Sequence, residues 1–167
     1  QARRVGTVAS ALFAQIAAPN AQNERHSRKL DWAARLHELG VHISHDDSHH
    51  HGAYVLEHVD APGFSMAELQ RMSLLVLGQR GKLRKLEGWL DDELLVKQLV
   101  SLRLAVLLCH ARRDPDYRAI SLQFKPRHIK LVADVGWANL HPQSAWLIQE
   151  EAIAWQKAGW RFSYTFE

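Results

Sequence analysis

Apolar residues recur at helical spacing through the first two thirds of the chain. The clearest case is the segment 3–18, whose apolar positions lie three or four residues apart: Val5, Val8, Leu12 and Ile16. This spacing predicts an amphipathic helix that ends near Pro19. Similar patterns predict further helices over 30–39, from Asp47 or Ser48 to His58, over 65–77, and along a stripe from Leu95 to Cys109.

The pattern changes to alternation after Asp114-Pro115. Apolar and polar side chains alternate over 120–124 and again over 129–133, which predicts two strands joined as a hairpin across 125–127. A predicted helix over 142–157, ended by Gly159, and an alternating strand over 160–166 follow. The fold class is therefore mainly α, with a small C-terminal ββαβ unit of the α+β type.

These elements divide the chain at about residue 115. We expect an all-α domain over 1–115 and a small α+β domain over 116–167. Between the helices, Gly40 is a natural helix stop. The residues Ser65 and Glu68 match a capping box, and the polar segment 20–29 predicts a loop or a frayed helix start.

Composition narrows the class of protein only slightly. The chain has 167 residues, a net charge of +3 with neutral histidines, and one cysteine, Cys109, so that no intrachain disulfide is possible. No apolar stretch has the length of a transmembrane segment. We expect a cytoplasmic protein with no nucleic-acid partner, and the start at Gln1 within a helical pattern suggests a portion of a longer protein.

Six of the eleven histidines lie between residues 37 and 51. Imidazole binds metals when neutral and anions when protonated, so this histidine segment indicates a metal site, a phosphate-binding surface or a polar part of the core. A zinc-protease site is excluded by spacing, because Val41 occupies the position four residues after His37.

An HD-type phosphohydrolase site is a second metal hypothesis. It would use His37 and Glu38 with His45 and His49, but Glu38 replaces the usual aspartate. Val106 stands where that arrangement needs a late metal-binding aspartate, and an apolar side chain cannot bind a divalent cation. We therefore expect no metal in the histidine segment.

A third hypothesis is that the histidine segment binds no ligand. His37 would then be a hydrogen-bonded core residue, and the histidines at 49–51 would be solvated. His37 shares a helical face with Leu30 and Ala33, so we expect it to point inward. Basic residues over 25–29 and 80–85 lie in neighbouring predicted elements, and together with the histidines they would attract a polyanion.

Several short motifs occur in a fixed order along the first half of the chain: Leu36-His37-Glu38-Leu39-Gly40, Ile43-Ser44-His45, His49-His50-His51-Gly52-Ala53-Tyr54 and Ala61-Pro62-Gly63-Phe64. This succession resembles the C-terminal region of the exopolyphosphatase/guanosine pentaphosphate phosphohydrolase family. The segment Leu102–Leu108 resembles the late helix of this family, and the ββαβ end with Gly159-Trp160-Arg161 resembles that of the longer exopolyphosphatase type. One departure is Leu77-Gly78-Gln79-Arg80, where the family often has an Arg-Tyr-His-Arg-like segment.

The resemblance implies an HD-related helical domain followed by a small α/β domain. It also implies that phosphoanhydride hydrolysis and Mg²⁺ belong to N-terminal actin-like catalytic domains that this sequence does not contain. The chain alone is then inactive, has no catalytic residue or cofactor of its own, binds inorganic polyphosphate and its own N-terminal domains, and supports a homodimer. The alternatives are a self-sufficient HD-type metal-dependent phosphohydrolase and a purely structural dimerisation module.

Candidate site residues follow from position within these motifs. We expect polyphosphate to contact five residues, since protonated imidazole, ammonium and guanidinium form charge-assisted bonds to phosphate oxygens: His45, His49, His51, Arg80 and Lys82. His37 and Glu38 are expected to organise the site without touching the ligand.

Overall fold

The structure, a computed structural model, describes residues 1–167. Seven α-helices have these bounds: α1 Ala2–Ile16, α2 Ala21–Arg35, α3 Ser48–His58, α4 Met66–Gly78, α5 Glu93–Leu108, α6 Val135–Leu140 and α7 Pro142–Lys157. One sheet contains β1 Ile120–Lys125, β2 His128–Ala133 and β3 Arg161–Phe166, and short 3₁₀ turns cover Leu39–His42, Leu83–Leu86 and Tyr117–Ala119. The predicted mainly α class with a small C-terminal α/β part is confirmed.

Helix α5 lies at the centre of the helical part. Apolar side chains on all sides of it are fully buried, among them Leu95, Val96, Leu99 and Val100. Helix α1 packs against both α2 and α5, and α3 packs against α4. Three positions of the predicted apolar stripe of α1, Val5, Val8 and Leu12, are buried in the core, and Ile16 packs against it partly buried, so the strongest periodic signal in the sequence is confirmed.

Helix α2 begins earlier and ends earlier than its apolar pattern predicts. The expectation of a loop or frayed start over 20–29 is wrong, because the Asn20 side chain accepts a 2.8 Å hydrogen bond from the Asn23 backbone N–H and starts the helix there. No side chain of 21–29 is fully buried. Hydrophobic periodicity therefore detects only the second half of the helix, where Leu30, Ala33 and Ala34 enter the core.

Gly40 has a different role from the helix stop that its position suggests. Helix α2 ends at Arg35, and Gly40 is buried in the 3₁₀ turn that follows. A Cβ atom at Gly40 would overlap the Ser48 carbonyl oxygen and lie 2.5 Å from the Gly52 amide nitrogen. The residue is thus required because the turn packs directly on the backbone of α3.

The two predicted helix starts differ in their caps. At α4 the Ser65 hydroxyl accepts a 3.2 Å bond from the Glu68 backbone N–H, and Glu68 accepts a 2.9 Å bond from the Ser65 N–H, which confirms the capping box. Helix α3 begins at Ser48 as expected, but the cap from Asp47 or Ser48 is not formed. Asp47 has left-handed backbone torsion, φ 52°, and its side chain makes no capping bond.

The C-terminal sheet has the order β1-β2-β3. Strands β1 and β2 are antiparallel across the two-residue turn Pro126-Arg127, as predicted, and β3 runs parallel to β2 after the crossover through α7. Helix α6 was not predicted; the Asp134 side chain caps it by accepting a 2.7 Å bond from the Gly136 N–H. Its six residues are too few to show a helical period.

The apolar core crosses residue 115 without a break. One cluster of 36 buried apolar residues includes side chains of α1, α5, the sheet and α7. Trp160 is 1% exposed, and its indole N–H donates a 3.1 Å bond to the Leu90 carbonyl oxygen in the loop before α5. The division into domains 1–115 and 116–167 stays a prediction.

Replacing Gly40 with alanine should destabilise the protein strongly. The added methyl group overlaps the α3 backbone, so we expect the free energy of unfolding to fall by about 2–3 kcal/mol or more. Chemical denaturation measures this. Gly63→Ala is the matched control, since it meets no atom within 4 Å and carries only the cost of φ +94°, about 1 kcal/mol. Equal losses in the two variants would contradict the packing role of Gly40.

Candidate functional site

The loop after α4 passes over the first turn of α3. Gly81 marks the contact: a Cβ atom there would lie 3.4 Å from the Lys85 Nζ and 3.8 Å from the His49 Nε2. Gly81 has φ +74°, which suits glycine. We call residues 80–85 the basic loop, because they carry Arg80, Lys82, Arg84 and Lys85. The structure therefore brings the histidine segment and the basic loop together.

His49 is the buried member of the histidine segment. It is 9% exposed, and its Nδ1 atom has no hydrogen-bond partner. Burial lowers the pKa of His49 to about 4, assisted by the positive charges of Lys85, His50 and Arg80 and opposed by Asp47. His49 is then neutral at neutral pH, so the charge-assisted phosphate bond assigned to it from the sequence requires a ligand that first raises its pKa.

Lys85 holds the basic loop in its folded form. Its ammonium group donates a 2.6 Å hydrogen bond to the Arg80 carbonyl oxygen. Burial lowers the pKa of Lys85 to about 8, and the charges of Arg103 and Arg80 act in the same direction. Lys85 remains mostly protonated at pH 7. It was not among the site residues predicted from the sequence.

Arg103 and Glu151 form a buried ion pair beneath the basic loop. Arg103 Nε donates to Glu151 Oε1 at 2.5 Å and Nη2 donates to Oε2 at 2.9 Å, a bidentate arrangement between α5 and α7. Both side chains are less than one tenth exposed. The Trp155 indole N–H donates a further 2.7 Å bond to Glu151 Oε1.

The same guanidinium group holds the start of the basic loop. Arg103 Nη1 donates to the Gly78 carbonyl oxygen at 2.7 Å and to the Gly81 carbonyl oxygen at 3.1 Å. From the sequence, this helix was expected to provide an apolar stripe and the late helix of the family, and no role was predicted for Arg103. Arg103 stands between Leu102 and Leu104 within an apolar run, which indicates a buried partner, and that signal could have identified it.

His37 and Glu38 are held by separate contacts. His37 is 5% exposed, as expected from its helical face, and its Nδ1 lies 2.6 Å from the Ala34 carbonyl oxygen. Its own carbonyl oxygen accepts a 2.5 Å bond from Gln79 Nε2 at the end of α4. Glu38 forms a 2.8 Å ion pair with the exposed Arg112. His37 thus links the end of α2 to the residue just before the basic loop.

The other predicted ligand-binding residues lie nearer the surface. His45, Arg80 and Lys82 are exposed, and His51 is half-buried on α3. Their side chains make no hydrogen bond or ion pair within the protein. The bond at Arg80 involves its backbone, whose carbonyl oxygen accepts from the Lys85 ammonium group. The polyphosphate-binding role of these residues and of His49 stays a prediction.

Only one group of three or more metal-ligating side chains is close together. One ligand atom each of Asp47, His49 and His50 lies within 4.8 Å of the other two. His37, Glu38 and His45 are not part of this group, and Val106 remains an apolar residue packed against the core. The set of residues expected for an HD-type metal site is therefore not assembled.

A cavity of about 1020 Å³ lies between the basic loop and α7. Its lining includes four cationic side chains and three carboxylates: Lys82, Arg84, Arg127, Lys157, Glu87, Asp91 and Glu150. The mixed charge distinguishes this cavity from the region around His49, where Asp47 is the only acidic neighbour that affects the pKa. No helix of the structure combines the length and apolar character needed to cross a membrane.

The fold and site define a mainly α domain in which a histidine-containing helix start meets a basic loop. The family model described as Ppx/GppA phosphatase, domain III matches residues 1–152. The chain belongs to the Ppx/GppA phosphatase family, and the resemblance found in its motifs is confirmed.

Curated relatives extend the comparison to nearly the whole chain. The protein from Pseudoalteromonas translucida is 33% identical over 137 residues, 79% of this chain and 27% of its own length. Those from Aeromonas salmonicida and Pseudoalteromonas atlantica are 30% identical over 95% and 98% of this chain, and 33% of their own lengths. All three are named guanosine-5'-triphosphate,3'-diphosphate pyrophosphatase. The chain spans about a third of the length of the relatives that it matches.

Removing Arg103 should destabilise the protein far more than removing an exposed arginine. In Arg103→Met the Glu151 carboxylate is left buried and unpaired, so we expect a loss of about 3–5 kcal/mol in the free energy of unfolding, measured by urea denaturation. Arg112→Met, which breaks the exposed pair with Glu38, should cost about 1 kcal/mol or less.

A double variant separates the charge from the packing at this pair. Arg103→Met combined with Glu151→Gln removes the unpaired carboxylate, so it should be more stable than Arg103→Met alone. If Arg103→Met costs no more than Arg112→Met, the buried pair does not hold α5, α7 and the basic loop together.

His37 should make the protein less stable in mild acid. Burial lowers its pKa from 6.5 in spite of the bond to the Ala34 carbonyl oxygen, which acts in the opposite direction. The unfolded chain therefore gains a proton before the folded one does, and the free energy of unfolding falls as the pH decreases below about 6.5. In His37→Asn that fall should be smaller, which denaturation at pH 7 and pH 5 measures.

His110 offers a matched control for this pH effect. Its Nδ1 lies 3.0 Å from the carbonyl oxygen of Leu107, three residues earlier, which is the same local bond in an exposed position. His110→Asn should leave the pH dependence as in the wild type. An equal change in both variants would show that burial of His37 is not the cause.

Proposed function

We propose that the chain is the C-terminal part of an exopolyphosphatase of the Ppx/GppA family, and that it binds the polyphosphate chain which the parent enzyme shortens from its end. The observation that supports this most directly is the contact between the basic loop and α3. Arg80 and Lys82 are exposed there, with Lys85 behind them. A linear polyanion is the ligand that matches several clustered cations. Asp47 is the only acidic group that acts on His49 beside them, whereas Lys82 also borders the cavity that contains Glu87, Asp91 and Glu150.

The exposed cations are free to bind phosphate oxygens. The Arg80 guanidinium and Lys82 ammonium make no bond within the protein, so binding a phosphate breaks no existing interaction. Ser48 and His49 backbone N–H groups at the start of α3 also have no backbone acceptor. Cations beside the positive end of a helix favour a phosphate group at this place. His45 and His51 extend the same surface along the histidine segment.

Hydrolysis itself is assigned to domains outside this sequence. The relatives are about three times as long as the chain, which leaves room for the N-terminal catalytic domains and their Mg²⁺. The 167 residues have no assembled HD-type metal set. We therefore assign to the chain no catalytic residue and no activity of its own, with the N-terminal domains of the same cytoplasmic protein as its partner.

A guanosine pentaphosphate is a second candidate substrate of the parent enzyme, beside polyphosphate. The relatives carry the name guanosine-5'-triphosphate,3'-diphosphate pyrophosphatase, which favours a guanosine pentaphosphate as the molecule that the parent enzyme hydrolyses. Both substrates end in a phosphoanhydride-linked phosphate. They differ in length, since inorganic polyphosphate can extend over many phosphate groups whereas a guanosine pentaphosphate carries five.

Dimerisation is the remaining part of the proposal. Large apolar side chains are exposed on and around α6 and α7, among them Val135, Leu140, Trp146 and Ile153. Trp146 and Ile153 are seven residues apart and therefore lie on the same face of α7. Covering such a face with a second copy of the chain would remove apolar surface from water.

Longer polyphosphates should bind the protein more tightly than shorter ones, and added salt should weaken the binding of both. Titrations with short and long polyphosphates at two salt concentrations measure both effects. Arg80→Glu combined with Lys82→Glu should weaken binding of long polyphosphate about tenfold, since each exposed charge contributes somewhat less than 1 kcal/mol.

The control reverses the same number of charges elsewhere. Arg113 and Arg118 are exposed in the segment between α5 and β1, so Arg113→Glu with Arg118→Glu alters the net charge equally and should weaken binding much less. Equal weakening would point to attraction by net charge alone. Absence of binding at low salt would favour the dimerisation module, and tight binding of a guanosine pentaphosphate without length dependence would favour the second substrate.

A further inference from the structure

The start of α3 carries three side chains that are suited to a metal ion and are not used by the fold. Asp47, His49 and His50 each place a ligand atom within 4.8 Å of the other two. The Asp47 carboxylate and the His50 imidazole make no hydrogen bond or ion pair within the protein, and both residues are exposed. The His49 Nδ1 is buried and has no partner.

The local backbone explains why these side chains converge. Asp47 has φ 52°, and its carboxylate does not bond to the free N–H groups of α3 as a helix cap would. His49 and His50 follow in the first turn, with ring centroids 4.4 Å apart and a tilt of 50° between the rings. Small side-chain rotations would therefore bring two imidazole nitrogens and one carboxylate oxygen onto a single ion.

We propose that Asp47, His49 and His50 bind one divalent transition-metal ion of the zinc class at the surface of the domain. Two imidazoles and a carboxylate are a ligand set that zinc accepts, with water in the fourth position. Since Asp47 and His50 are exposed, solvent reaches that position. This site departs from the expectation of a histidine segment without a metal. It shares only His49 with the HD-type set and uses none of His37, Glu38 and His45.

Neighbouring cations determine which metal fits. Lys85 and Arg80 face His49, and Asp47 supplies the only negative charge among the groups that act on it. Mg²⁺ and Ca²⁺ are held by several oxygen ligands and by negative charge, which this place does not provide. Zinc-class ions bind imidazole nitrogen well, so the site should select them in spite of the positive surroundings.

Isothermal titration of Zn²⁺ into the 167-residue chain without a purification tag tests the proposal. We expect one zinc per chain and no saturable heat with Mg²⁺. His50→Ala and Asp47→Asn should weaken zinc binding about tenfold or more. Both replace exposed side chains, and asparagine accepts the left-handed backbone of position 47, so the melting temperature without zinc should stay near that of the wild type.

Two other histidines provide matched controls. His51→Ala removes the third member of the same triplet, and His58→Ala removes an exposed histidine at the other end of α3. Both variants should keep the zinc affinity within about twofold of the wild type. Equal weakening by all four variants would show diffuse binding along the histidine segment and would overturn the proposal, as would the absence of a stoichiometric site or equal binding of Mg²⁺.

The X-ray absorption spectrum of the zinc-loaded wild type gives a second readout that does not depend on variants. We expect two imidazole ligands at about 2.0–2.1 Å and a remaining shell of oxygen. One imidazole, or three and more, would overturn the assignment of the ligands to His49, His50 and Asp47. The outcome is independent of polyphosphate binding, because no phosphate is present in the experiment.

Discussion

The buried ion pair between Arg103 and Glu151 connects the parts of this protein that matter for its site. It joins α5, the central helix, to α7 of the C-terminal unit, and the same guanidinium group binds the carbonyl oxygens of Gly78 and Gly81. A charged pair placed under a loop is costly to desolvate, and it is tolerated only when its hydrogen bonds are satisfied. Here the indole of Trp155 and the two carbonyl oxygens complete them.

This constraint also shapes the electrostatics of the candidate site. With its start fixed on Arg103, the basic loop lies against His49, and the charge of Arg103 contributes to the lowered pKa of Lys85. Burial beneath the loop is the largest cause of the lowered pKa of His49. A phosphate group bound at Arg80, as we propose, would make the local potential less positive and raise both pKa values, which would link ligand binding to proton uptake.

How far the sequence predicts the structure depends on the kind of signal. Helices α1 and α5, the hairpin and β3 follow from apolar periodicity, because burial on one face imposes a regular spacing. The beginning of α2 depends on one cap at Asn20, and α6 on one cap at Asp134, which periodicity does not detect. Gly40 and the burial of His49 depend on contacts between distant segments, so only the folded chain reveals them. An arginine among apolar residues signals that Arg103 is buried, but its partners Glu151, Gly78 and Gly81 are distant in sequence and appear only in the folded chain.

The charges of the histidine segment and of the basic loop affect which ligands each of them can bind. A divalent ion at Asp47, His49 and His50 would add positive charge beside Arg80 and Lys85, which lowers its affinity in the free protein. A bound phosphate would offset that charge, and each ligand would then increase the affinity of the other by the same factor. The two proposals thus describe overlapping sites, because His49 belongs to both, and the short distance between His49 and the basic loop is what couples them.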